Sequence, residues 1–136
     1  MCTDIPAPRS RDGGETWSTP SELIRGDKGG RGPVKNKPIV LNDGTWAAPA
    51  SLEGAMGHVK KQWRAFIDFS KDQGRTWRPG PAVLPADGGG VIQPTVWESK
   101  PGHLHMLMRS SRGQGTSSII HIHTRRHQHF NVRRAA

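Results

Sequence analysis

Ser10-Arg-Asp-Gly-Gly-Glu-Thr-Trp17 and Ser70-Lys-Asp-Gln-Gly-Arg-Thr-Trp77 share the pattern S-x-D-x-G-x-T-W, five identities at fixed positions with a spacing of 60 residues. A recurrence of this kind marks a repeated supersecondary unit and has to be read before any single strand is assigned. Its residue types are those of a tight turn. The Asp12 and Asp72 carboxylates are suited to accept backbone N–H bonds within the turn, Gly14 and Gly74 to supply positive φ, and Trp17 and Trp77 to pack between neighbouring sheets. Ser10, Thr16, Ser70 and Thr76 complete the pattern. These residues are assigned to building the fold rather than to a reaction, because each role is used up in forming the turn.

A second pairing runs beside the first. Lys37-Pro-Ile-Val-Leu41 leads into Asn42-Asp-Gly44, and Gln93-Pro-Thr-Val-Trp97 leads into a turn between Ser99 and Gly102. Each reads as strand, tight turn, strand. Gln62 to Phe69 reads as a third strand and Arg78 to Leu84 as a fourth. On His103 to Ser110, Leu104, Met106 and Met108 alternate with His103, His105 and Arg109, as on a half-buried strand. Four-stranded units at this spacing predict an all-β chain built from the blades of a β-propeller. The expected content is the last turn of one blade, a full blade over about 35–84, and the opening hairpin of a third over about 90–111. Residues 1–111 therefore form a partial propeller of roughly two blades. Residues 112–136, rich in His and Arg and without a further S-x-D-x-G-x-T-W, are expected to be a disordered basic tail.

Composition agrees with short strands. Hydrophobic residues make up 32% of the 136, and 17 Gly with 11 Pro favour turns over long helices. The single cysteine, Cys2, excludes an intramolecular disulfide. No run approaches a membrane span and the N-terminus lacks the pattern of a signal peptide, so the chain as written is expected to be cytoplasmic and without membrane contact. The net charge of +9 raises nucleic acid as a partner, but residues 109–136 hold six Arg and no acid, leaving 14 Lys and Arg against 11 Asp and Glu before them. A nucleic-acid reading therefore rests on the tail alone and is not the expected one.

Taken with their surroundings, the two turns resemble the Asp-box, or BNR-repeat, sialidase-like proteins. The resemblance spans about 10–113, through Gly32-Pro-Val-Lys-Asn-Lys-Pro-Ile39, Gly90-Val-Ile-Gln-Pro-Thr-Val-Trp-Glu98 and Met106 to Ser110. It implies a six-bladed propeller and a carbohydrate-active, exo-glycosidase-type hydrolase acting on an acidic sugar. Family sialidases bind the substrate carboxylate with three arginines and attack through a tyrosine activated by a glutamate. This chain has no tyrosine and no Arg-Ile-Pro motif. Catalysis by the chain alone is therefore not expected, and the alternative is a non-catalytic propeller segment that binds a glycan or a protein.

The candidate substrate residues follow from position. Lys37 and Gln93 hold matching places at the start of the innermost strand of successive blades, and Arg109 could hold a carboxylate with two parallel hydrogen bonds. Glu98 is the candidate acid, or a partner for Arg109. No cofactor or metal is expected. The tail's His121, His123, His127 and His129 have ligand-like spacing, but no acid or thiolate accompanies them and arginines surround them. Gly29 to Gly32 and Gly88 to Gly90 read as linking loops, since neither opens a helix.

Overall fold

The computed structural model describes residues 6–22, 36–52, 63–84, 89–111, 117–125 and 131–134. Among these the protein is all-β. β1 (Pro6–Ala7) pairs with β2 (Ser21–Glu22) across the first turn. A four-stranded sheet follows: β3 (Ile39–Val40), β4 (Trp46–Leu52), β5 (Arg64–Ser70) and β6 (Arg78–Pro79), antiparallel and in sequence order. A second has the same layout: β7 (Gly90–Lys100), β8 (His103–Ser111), β9 (Ser117–Arg125) and β10 (Asn131–Arg134). The hairpin, third strand, turn and fourth strand read from the repeat are thus the observed order in the first sheet, with residues 70–77 joining β5 to β6. No helix among the described residues is long and apolar enough to cross a membrane.

The two sheets pack face to face on one apolar core. Ala47, Ala65, Ile67 and Val83, with Leu41 from the turn, meet Val91, Val96, Leu104, Met106, Met108 and Ile122. The alternation along β8 produces this arrangement, since Leu104, Met106 and Met108 are buried and the residues between them are more exposed. Fully burying each such side chain stabilises the fold by about 1.5–3 kcal/mol.

Val91 and Val96 both belong to the core although they are five positions apart, which strict alternation forbids. A β-bulge accounts for it. Ile92 pairs with Arg109 and Thr95 with Leu107, so β7 spends one more residue than β8 across this stretch. Gln93 and Pro94 thus stand against Met108 alone; Gln93 has a φ of +57°, and Pro94 has no N–H to leave unpaired.

Two expectations are corrected. The second sheet is a full four-stranded unit rather than a hairpin alone, and part of the 112–136 segment completes it: β9 pairs with β8 along its whole length, from His103↔Arg125 to Ser111↔Ser117, and β10 pairs with β9. Ile122 sits at the centre of the shared core and gives β9 an apolar anchor. The second correction concerns the tryptophans. Trp17 is 62% exposed and so is not packed between sheets, while Trp77 is half-buried beside Gly74.

Candidate functional site

The two S-x-D-x-G-x-T-W turns are closed by the same side-chain partners. Ser10 Oγ donates to Asp12 Oδ1 at 2.7 Å and accepts from Gly14 N at 2.8 Å; Ser70 Oγ does the same with Asp72 and Gly74 at 2.7 and 2.8 Å. Thr16 and Thr76 each bring their hydroxyl and backbone N–H to the carboxylate. The tryptophan indole N–H then closes the turn on the glycine carbonyl, Trp17 to Gly14 at 3.0 Å and Trp77 to Gly74 at 3.1 Å. The hydroxyls and backbone N–H groups of Thr16 and Thr76, helped by Ser10 and Ser70, hold both aspartate carboxyls well below the usual carboxylate range. Gly14 and Gly74 have φ of +101° and +80°. Arg9 links the two turns by donating its guanidinium to the Gly74 carbonyl. With its oxygens committed to the turn, each aspartate is a structural element of it.

Around the bulge in β7 the structure gathers three of the four candidate site residues. The Asn36 side-chain amide donates to the Gln93 carbonyl at 3.3 Å and also to the Pro94 carbonyl, which joins the lead into β3 to the bulge. Lys37 follows Asn36 directly and is exposed. Arg109 is exposed on β8, paired with Ile92, the residue before Gln93. Its guanidinium carbon lies 5.9 Å from the centroid of the Trp63 ring. A guanidinium at this distance from an aromatic ring is attracted to it as a cation, and its N–H groups are suited to a carboxylate. Trp63 is held in turn by its carbonyl, which accepts from Val91 N at 3.0 Å.

Glu98 lies elsewhere, five residues further along β7 and on the order of 15 Å from Gln93. Its Oε2 accepts from both the backbone N–H and the side-chain amide of Asn42, each at 2.7 Å, and its Oε1 accepts from Gly102 N at 2.7 Å. Partial burial works against its charge, but the donors on Asn42 and Gly102 outweigh it and hold the carboxyl below its ordinary value. Glu98 therefore ties the β7–β8 turn to the β3–β4 turn of the neighbouring sheet. A carboxyl held ionised in this way is poorly disposed to donate a proton at neutral pH.

The sequence pattern missed a further cluster. His105 and Trp97 stand opposite each other on β8 and β7, and His123 stands opposite His105 on β9. The Trp97, His105 and His121 rings are nearly parallel, with centroids 4.9–5.4 Å apart. The alternation of Ile120 and Ile122 with His121 and His123 was the available signal, since it places both histidines on one face of a strand. Among the described residues no group of three His, Cys, Asp or Glu is arranged to hold a metal ion. His127 and His129, Gly29 to Gly32 and Gly88 lie outside the described residues.

Neither curated proteins nor solved structures give a match to the chain. The sequence does match the BNR repeat-like domain over residues 3–126, a span that includes both turns, both sheets through β9 and the residues around the bulge. With nearly the whole chain covered, the protein belongs to the BNR repeat-like domain family, which falls generally within the sialidase-like superfamily.

Proposed function

We propose that this chain supplies two blades of a sialidase-like β-propeller and binds an acidic glycan at the β7 bulge, without hydrolysing it by itself. The observation that carries this reading is Arg109, exposed, backed by the Trp63 ring and set beside a bulge that Asn36 braces from the neighbouring sheet. Bulges re-aim side chains and are frequent beside binding sites. Lys37 adds a second cation, and Gln93, at positive φ, brings an amide side chain to the same place. A sugar carboxylate would pair with the Arg109 fork, while the sugar's apolar face would lie against the exposed part of Trp63. Hydrolysis asks for more. The chain has no tyrosine to act as nucleophile, and Glu98, the candidate acid, is engaged at the turn between the sheets.

Isothermal titration with a trisaccharide ending in sialic acid tests this. The full chain should bind it and should not bind the asialo disaccharide, and Arg109→Ala should weaken binding about tenfold or more, the usual worth of a charge-assisted hydrogen bond. A fluorogenic sialoside should show no turnover. Equal affinity for the charged and neutral sugars, or turnover that Glu98→Gln abolishes, would overturn the proposal.

A further inference from the structure

The second sheet turns one face to the first sheet; its other face carries Trp97, His103, His105, Arg109, His121 and His123. Two of these imidazoles form a hydrogen-bonded chain with a serine. His105 Nε2 lies 2.7 Å from Ser99 Oγ, and His105 Nδ1 lies 3.1 Å from His121 Nε2. The two imidazole planes differ by 7°, so a ring nitrogen of each is aimed at the other and the pair lies side by side. The Trp97 indole covers both. Trp97 is on β7 and His121 on β9, with β8 between them, and adjacent strands are about 4.8 Å apart. An indole whose centroid is 5.4 Å from His121 has therefore leaned across β8.

We propose that Ser99, His105 and His121 form a proton-operated latch that holds Trp97 against this face and releases it in acid. With both imidazoles neutral, one N–H is shared in the bond between them. With one added proton, His105 donates to Ser99 and to His121, and the arrangement persists. A second proton places an N–H on both facing nitrogens, 3.1 Å apart, and the bond is lost. Each proton comes from solvent and no other bond changes. The surroundings favour release. His103 on β8 and His123 on β9 bring two further imidazoles to this face, Arg109 is charged throughout, and in the strand pairing Lys100 stands opposite His103. Among the described residues of this face there is no carboxylate to compensate. Burial, followed by the fields of His121, His123 and His103, holds His105 below the ordinary histidine value.

The test is an NMR titration of the full chain from pH 7.5 to 4, following the imidazole carbon-bound protons and the indole N–H signals. His105 and His121 should share two steps separated by more than about one pH unit, as coupled sites do. The Trp97 indole signal should move only with the lower step. In His121→Gln, whose amide can serve as donor or acceptor, His105 should titrate in one step and Trp97 should stay in place. A single independent step for each histidine, or a Trp97 signal that does not move, would overturn the proposal. So would a simultaneous shift of the Trp46 indole in the first sheet, because that would report unfolding of the whole chain rather than release of this face.

Discussion

Replacing Gly74 with Ala should cost clearly more than replacing Gly14, although the two hold the same place in the repeat. Both lie at positive φ, +80° and +101°, where a Cβ is disfavoured by about 1–2 kcal/mol. The surroundings then separate them. A Cβ at Gly14 would meet only Trp17 Cζ2, at an ordinary 3.8 Å, beside a ring that is mostly in solvent. At Gly74 the same atom would lie 3.3 Å from two atoms of Trp46 and one of Trp77, closer than packed carbons normally come. Those rings cannot simply withdraw. The Trp77 indole is bonded to the Gly74 carbonyl, and Trp46 begins β4, paired with Ser70. Overpacking of this kind adds about 1–3 kcal/mol. Gly74→Ala is therefore expected to destabilise by about 2–5 kcal/mol and Gly14→Ala by about 1–2 kcal/mol. Urea denaturation followed by circular dichroism, with equal slopes in both variants, gives the two values. Equal losses would refute the idea that the second turn is wedged between two tryptophans while the first is not.

Three further outcomes follow from the same geometry. Met106→Ala, at the centre of the shared core, should cost about 2–5 kcal/mol in the same denaturation assay, well above Lys71→Ala on the exposed side of the turn, at about 0.5 kcal/mol or less. Glu98→Gln exchanges an acceptor oxygen for an amide that faces N–H donors and should cost about 1–2 kcal/mol at pH 7, the scale of one lost hydrogen bond. Because the folded carboxyl of Glu98 titrates below its unfolded value, the difference between the wild type and this variant should be fully present above about pH 4.5 and should shrink as the pH falls through the lowered value. Asp72→Asn keeps the shape of the turn but weakens its bonds to Thr76 and Ser70, so its destabilisation should be larger at pH 7 than that of Arg75→Ala by chemical denaturation.

How much of this was legible in the sequence depended on how far apart the interacting residues lie. The Asp12 and Asp72 turns close within eight residues, and their pattern shows in the sequence because every donor and acceptor is local. The face of β8 was equally readable, since Leu104, Met106 and Met108 alternate without interruption. The bulge at Gln93 was not. It is braced by Asn36, 57 residues away, and nothing near Gln93 marks a residue with positive φ. Glu98 was read as a candidate acid because its partner Asn42 is 56 residues away; the interaction belongs to the packing of the two sheets. For β9 the reading failed differently. The Ile-His-Ile-His alternation of residues 120–123 is a strand pattern, but the surrounding His and Arg and the missing turn motif outweighed it, whereas in the fold the pairing with β8 and the burial of Ile122 decide.

The most direct test of the central claim is to map a sialic acid monosaccharide onto the full chain by NMR, with its methyl ester as the uncharged control. The account predicts that the free acid shifts the Arg109 side-chain Nε–H, the Gln93 backbone amide and the Trp63 indole signal together, and that the ester shifts none of them. Shifts confined to the Asp12 and Asp72 turns, or the same response to acid and ester, would contradict it.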